Sequence, residues 1–252
     1  MALKIITPFM SDNYRTMISG FAGWVAEYVQ SSRIQGRTGW MSQLQGYSWH
    51  GDWREGISKR RKFHERMVCV QSEQDFHQVA GDILSWGRMK PFGFEEVRSL
   101  RRSLTILDTL REGKDTPIHD LFIERVAASS KIYEMHDPAS WVIYDSRVVR
   151  GLAILVTTWW KMNGRETMDS VLRFPWPPGR GDGRCPPGFP RVASTAPNQP
   201  RLGFIYASWL LGAIAEKIRR MSRNSANAID QDFDWQAYHV EMVLFTLGKH
   251  AA

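Results

Sequence analysis

The sequence predicts an all-α fold, a multi-helix globular bundle that carries one long Pro/Gly-rich loop. Apolar residues recur at spacings of three and four in several segments, which is the period of a helix buried on one side. Helix start and stop signals flank these segments, and none shows the sustained alternation of a β-strand. We expect residues 1–252 to form a single mostly helical domain. A division into a basic N-terminal part, 1–90, and a core, 91–252, with 174–200 as an insertion, is left open.

Seven segments are predicted to be helices. Ser72 and Asp75 have the spacing of a capping box, and Pro117 is typical of the first position of a helix. Asn163-Gly164 is expected to end the helix that precedes it. Residues 31–52, rich in Gly, Ser and Gln, are predicted to be loop. The predicted helices are 12–30 (capped by Ser11 or Asp12), 73–86, 94–111, 118–135, 146–162, 205–223 and 232–248.

The composition favours an anionic partner. The net charge is +7 and the pI is about 9.6, which points first to nucleic acid and second to an acidic membrane surface. A soluble basic protein without such a partner is the plainer alternative. The chain has no apolar run of about 20 residues, so we expect no membrane span. Its two cysteines form neither a disulfide framework nor a metal pair, so we expect a cytoplasmic protein without metal or cofactor.

The most basic segment is 53–66, which has six Lys or Arg residues against two Glu. Positive side chains interleaved with Trp53 and Phe63 are typical of a surface that contacts phosphates. The alternative is an ordinary solvated helix face. The residues predicted to bind nucleic acid in this segment are Arg54, Lys59, Arg60, Arg61 and Lys62.

The segment 174–200 contains eight of the twelve prolines in the chain. A connection of this length without regular structure is usually functional or disordered. Two interpretations remain open: the loop wraps a substrate strand, or it is an insertion without a role in binding.

The stretch from Ser129 to Trp160 organises the rest of the interpretation. His136-Asp137-Pro138 ends one helix, because proline cannot continue it. The apolar residues 141–144 favour extended backbone. Asp145 then occupies the N-cap position of a helix that is apolar on most of its surface.

This order of elements resembles the helix-hairpin-helix DNA glycosylase superfamily over roughly residues 118–160. The resemblance lies in a lysine-bearing helix, an Asp-Pro turn and an apolar segment that leads to Asp at a helix start: KIYEMHDPASWVIYDSRV. It implies the fold of that superfamily, a DNA substrate and Asp145 as the catalytic carboxylate. The chain departs from the family at the hairpin, where residues 122–130 read FIERVAASS in place of Leu-Pro-Gly-x-Gly.

Candidate roles follow for the residues around this stretch. A glycosylase must extrude a nucleotide and stabilise the oxocarbenium ion that develops as the base leaves, and a carboxylate held ionised at a helix N-terminus suits that task. Lys131 is a candidate amine nucleophile, although a lysine late in a helix is more often solvated. Glu241 is a candidate second carboxylate. Arg147 and Arg150 are predicted phosphate contacts. The predicted base pocket consists of Tyr133, His136, Trp141 and Tyr144.

These observations lead to one principal hypothesis and two alternatives. The principal hypothesis is a DNA repair hydrolase that flips out a damaged or modified base and cleaves its N-glycosidic bond, by default without lyase activity. The first alternative is a non-catalytic basic helical module that binds nucleic acid, for instance within a phage-defence assembly. The second is a helical adaptor whose Trp and Met residues form protein interfaces. The sequence contains no Gly-x-Ser-x-Gly motif, no Walker loop and no Rossmann fingerprint.

Overall fold

The computed structural model describes residues 12–49, 51–164, 170–177, 187–196, 198–223 and 233–249. Within these ranges the chain is all-α, as predicted, with nine helices and one short hairpin. The helices are α1 Asp12–Ser31, α2 Trp40–Gln45, α3 Trp53–Val68, α4 Glu73–Trp86, α5 Phe94–Arg111, α6 Val126–His136, α7 Ser146–Met162, α8 Gln199–Arg223 and α9 Ala237–Lys249. The hairpin pairs β1 Arg33–Ile34 with β2 Arg37–Thr38, antiparallel. No helix among the described residues is both long and apolar enough to cross a membrane.

Local capping signals in the sequence set several helix boundaries. Ser72 and Asp75 form the predicted capping box, in which each side chain accepts a hydrogen bond from the other residue's backbone N–H, and α4 begins directly after Ser72. Helix α5 has the predicted bounds. Helix α7 ends at Met162, with Asn163 as its C-cap. The predicted cap Ser11 lies outside the described residues.

The prediction of one helix over 118–135 is wrong. Residues 118–120 form a single 3₁₀ turn, and α6 begins at Val126, eight residues after the predicted helix start. The intervening backbone is held extended by other elements: the Ser103 hydroxyl accepts from the N–H of Phe122, and the Tyr133 hydroxyl donates to the carbonyl of Phe122. These partners satisfy backbone groups that a helix would otherwise pair internally, so tertiary contacts override the local preference.

Three further boundaries differ from prediction. The predicted loop 31–52 contains the hairpin and α2, because Gln35 and Gly36 both adopt positive φ and form a two-residue turn between the strands. Helix α8 begins at 199 rather than 205, which shortens the predicted loop. Helix α9 begins at 237 rather than 232. Of the loop itself, residues 178–186 and 197 lie outside the described part of the chain.

Helices α7 and α9 approach each other closely at two glycines. A Cβ atom on Gly151 would lie 2.2 Å from the carbonyl oxygen of Leu244, and one on Gly248 would lie 1.9 Å from that of Arg147. Any side chain at either position would therefore force the two backbones apart. Helix α9 also carries Glu241, which lines a small cavity together with Asp145 at the start of α7.

Candidate functional site

A surface cleft of about 550 Å³ opens at the N-terminus of α7. It lies between this helix end, the connection from α4 to α5, the start of α6 and the side chain of Trp49. Its size falls within the range of about 300–1,000 Å³ that is usual for small-molecule sites. The lining residues are Trp49, Gly87, Arg88, Met89, Lys90, Arg125, Ala127, Lys131, Asp145, Ser146 and Arg147.

Asp145 lies in this cleft and is the N-cap of α7, as the sequence predicts. Its Oδ1 accepts hydrogen bonds from the backbone N–H groups of Arg147, at 3.0 Å, and Val148, at 3.1 Å. Both donors and the positive end of the helix dipole stabilise negative charge on this carboxylate. Since the cap uses only Oδ1, Oδ2 is not engaged in capping the helix.

Lys131 lines the same cleft, although only 4% of its surface is exposed. Its Nζ donates to the carbonyl oxygen of Ala127 at 2.8 Å. The aliphatic part of the side chain passes against Gly87, where a Cβ atom would lie 2.6 Å from Cδ. Burial lowers the pKa of Lys131, and the carboxylates of Asp145 and Glu241 act in the opposite direction. An uncharged amine is therefore more accessible here than at a solvated lysine.

A buried ion cluster lies behind these two residues. The guanidinium Nη1 of Arg60 is 2.9 Å from Glu134 and 2.6 Å from Glu241, and all three side chains are at most 3% exposed. Burial raises the pKa of Glu134, and it raises the pKa of Glu241 to about 7 against the opposing effect of Arg60. Burial alone would lower the pKa of Arg60, but the two carboxylates raise it well above its ordinary value.

An inner cavity joins this ion cluster to the cleft. Trp49, Lys131 and Asp145 line both spaces. Arg60 and Glu241 also line the inner cavity, so Glu241 is a cavity carboxylate on α9. Its remaining lining is mostly aromatic: Tyr47, Trp86, Ile143 and Phe245. Asp145 and Lys131 are thus shared by the surface cleft and by the cavity that the ion cluster lines.

Besides Lys131, four basic side chains line the cleft around Asp145: Arg88, Lys90, Arg125 and Arg147. Within the described residues, none of them makes an ion pair with a carboxylate. The guanidinium of Arg147 lies 5.2 Å from the ring of Trp49, and that of Arg88 lies 5.6 Å from the same ring. The cleft therefore combines strong positive charge with one aromatic wall, which suits an anionic ligand with a planar part.

Three residues of the predicted base pocket belong to the core instead. The side chains of Tyr133, Trp141 and Tyr144 are fully buried, and none of them lines the cleft. The Tyr144 hydroxyl donates to the carbonyl of Pro175 at 2.7 Å, and Trp141 stacks on Phe204. The apolar residues 141–144, which include two of the predicted pocket residues, therefore form an extended segment that packs in the core.

Several predicted contacts lie elsewhere. His136 is hydrogen-bonded to Asp108 at 3.1 Å and does not line the cleft, and neither does Arg150. Arg60 is wrong as a phosphate contact, because its guanidinium is buried between two carboxylates. The other predicted residues of the basic segment are exposed on α3, away from the cleft lining: Arg54, Lys59, Arg61 and Lys62.

Sequence reasoning missed the residues that come from connections between helices. Arg88 and Lys90 follow α4, and Arg125 precedes α6 in a segment predicted to be helical. One signal was available, since Gly87-Arg88-Met89-Lys90-Pro91 places two cations between a glycine and a proline, which is typical of an exposed turn.

Comparison with protein-family models, curated proteins and solved structures finds no match to this chain. Among the described residues, no group of three or more His, Cys, Asp or Glu side chains is arranged to hold a metal ion.

Proposed function

We propose that this chain is a DNA N-glycosylase that removes a damaged or modified base. The observation that carries the proposal is the placement of Asp145 and Lys131 in one cleft lined by four further cations, none of which pairs with a carboxylate in the described part of the chain. A second support is the resemblance of the segment around Asp145 to the helix-hairpin-helix DNA glycosylases. The all-α architecture is consistent with that superfamily and does not distinguish it from other helical folds.

Asp145 would stabilise the transition state for base loss. Cleavage of the N-glycosidic bond leaves positive charge on the sugar, and a carboxylate beside C1′ lowers the energy of that cation. Oδ2, which takes no part in the cap, would face the sugar or orient the attacking water, while Oδ1 stays bound to the N–H groups of α7. The structural role as a cap and the catalytic role are therefore compatible on one side chain.

Lys131 offers a second nucleophile in the same place. With its pKa lowered by burial, the ε-amine could attack C1′ in place of water as the base departs. The product would be a covalent enzyme–sugar adduct that opens to an imine. We propose hydrolysis through Asp145 as the main reaction, and trapping with borohydride decides whether the lysine route also operates.

The test is a base-release assay on DNA. The protein is incubated with single- and double-stranded oligonucleotides that carry deaminated, oxidised or alkylated bases, and abasic products are then cleaved with alkali. We expect base release by the wild type, and we expect Asp145→Asn to lower the rate by at least about 100-fold, since it removes the charge that stabilises the sugar cation.

A matched control is available at another helix start. Asp52 caps α3 through the same two types of N–H contact, at 2.8 and 3.0 Å, but it does not line the cleft. Asp52→Asn should leave base release unchanged. An equal loss in both variants would show that Asp145 acts only as a cap. Salt-sensitive DNA binding without release of any base would instead support the non-catalytic binding module.

A further inference from the structure

Two of the arginines at the cleft have an uncommon backbone conformation. Within the described residues, positive φ at non-glycine positions occurs at Gln35, Arg88 and Arg125. Gln35 is explained by the hairpin turn, but the two arginines, with φ of 52° and 48°, lie on separate connections that both line the cleft. Left-handed backbone is unfavourable for a residue with a Cβ atom, and such residues concentrate at binding sites.

The two connections are held together at this point. The Arg125 Nη2 donates to the carbonyl oxygen of Pro91 at 3.2 Å, which joins the residue before α6 to the segment after α4. The same guanidinium lies 3.9 Å from the ring of Phe92, which packs in turn against Phe122. Arg125 therefore retains N–H donors in a fixed position, because one of its nitrogens and the face of its guanidinium are already bound by the fold.

The charge of the cleft is not balanced from within. Arg88, Lys90, Arg125 and Arg147 face a single lining carboxylate, Asp145, and no other described acidic residue lines the space. These four cations have no ion-pair partner among the described residues, so they repel one another, and an anion that bridges them relieves this repulsion. Arg guanidinium groups match the geometry of phosphate oxygens in particular.

We infer that Arg88, Lys90 and Arg125 form a phosphate-binding site that grips the DNA backbone beside the extruded nucleotide. The inference rests on the proposed function for the identity of its partner, since a phosphate ester could also come from a free nucleotide. It assigns the grip to the cleft rather than to the exposed cations of α3.

The test measures binding of a duplex that contains a tetrahydrofuran abasic-site analogue, which cannot release a base, by fluorescence anisotropy over a series of salt concentrations. Arg88→Ala and Arg125→Ala are compared with Arg102→Ala, an exposed arginine on α5 outside the cleft. Alanine keeps the Cβ atom, so the unfavourable backbone conformation is unchanged, and thermal unfolding checks the fold of each variant. A deoxynucleoside 5′-monophosphate is titrated in parallel.

We expect each cleft variant to weaken duplex binding about ten-fold, as for loss of a charge-assisted hydrogen bond, and to lower the salt slope by about 1. Arg102→Ala should match the wild type.

Unchanged binding by the cleft variants, with loss in Arg54→Ala and Arg61→Ala, overturns this inference and leaves the glycosylase proposal standing. Binding of the mononucleotide but not the duplex, lost in the cleft variants, supports the phosphate site and overturns the glycosylase proposal. Binding of neither probe by the wild type overturns the phosphate site.

Discussion

The carboxylate of Glu241, in the last helix, lies 2.6 Å from the guanidinium of Arg60, in the third. The same Nη1 group also donates to Glu134 of α6 at 2.9 Å, so one cation joins three helices that are distant in sequence. One positive charge faces two carboxylates, and burial without full compensation raises the pKa of both acids. Arg60 and Glu241 line the same small cavity as Asp145 and Lys131, and the cluster acts electrostatically on Lys131.

Removal of Arg60 should be costly. The change Arg60→Met removes the cation that is paired with Glu134 and Glu241, and breaking a buried pair in this way costs about 3–5 kcal/mol. The measurement is urea unfolding at neutral pH. Arg66→Met is the matched control on the same helix, because Arg66 pairs with Asp82 at 2.6 Å on the surface, where an ion pair contributes about 1 kcal/mol or less. Similar small losses in both variants would contradict a charged cluster.

The pH dependence of stability should reveal two opposing buried groups. Glu241 has its pKa raised from 4.5 to about 7, so the folded state retains a proton there that the unfolded state loses. Its contribution is complete below pH 4.5 and is lost as the pH rises through 7, by about 1.4 kcal/mol per unit at most. Burial lowers the pKa of His239 from 6.5 to about 3, and this contribution is complete above pH 6.5 and lost toward pH 3.

Single substitutions separate these two effects. Between pH 4.5 and 6.5 the slopes have opposite signs, so each group masks the other in the wild type. Glu241→Gln should give a free energy of unfolding that rises with pH more steeply than in the wild type. His239→Gln should give a free energy of unfolding that falls as the pH rises from about 4.5 to 6.5. Glutamine suits position 239, since the His239 Nδ1 accepts from the N–H of Gln236 at 3.0 Å, as a capping-box side chain does. Parallel pH profiles for all three proteins, measured by urea unfolding, would contradict the assignment.

The sequence reveals the parts of the site that depend on local rules. An N-cap needs only a short polar side chain before an apolar helix, and Asp145 satisfies that rule within a few residues. The capping box at Ser72 and the bounds of α5 are confirmed for the same reason. The all-α class follows from apolar spacing, which is also a local property.

Long-range pairing decides what the sequence could not reveal. Arg60 belongs to the most basic segment, and only its pairing with Glu134 and Glu241, 74 and 181 residues away, shows that it is buried. The late start of α6 depends on hydroxyl groups of Ser103 and Tyr133. The aromatic run before Asp145 is compatible with either a pocket or a core, and the packing of α8 determines that it is core.

Substitution of Tyr144 should affect stability and not activity. Its hydroxyl donates to the carbonyl oxygen of Pro175 in a fully buried environment. Tyr144→Phe leaves that carbonyl unsatisfied, which costs about 1–3 kcal/mol. The measurement is thermal unfolding together with the base-release assay, and the KM for the modified DNA should match that of the wild type. A raised KM with unchanged stability would restore Tyr144 to the base pocket.

A methyl group at position 87 should disturb Lys131 while the fold is preserved. In Gly87→Ala the new Cβ would lie 2.6 Å from Cδ and 2.7 Å from Cε of Lys131, so the lysine side chain has to move. Because misplacement of a reacting group by about 1 Å can cost 100-fold in rate, we expect a loss of about 10- to 100-fold in borohydride-trapped adduct if the lysine route operates.

Gly81→Ala is the control within α4, where a Cβ meets nothing within 4 Å, and it should stabilise the protein by about 0.5–1 kcal/mol. Base release and adduct formation are measured for both variants beside thermal unfolding. Equal activity in the two variants would show that the position of Lys131 has no part in the reaction.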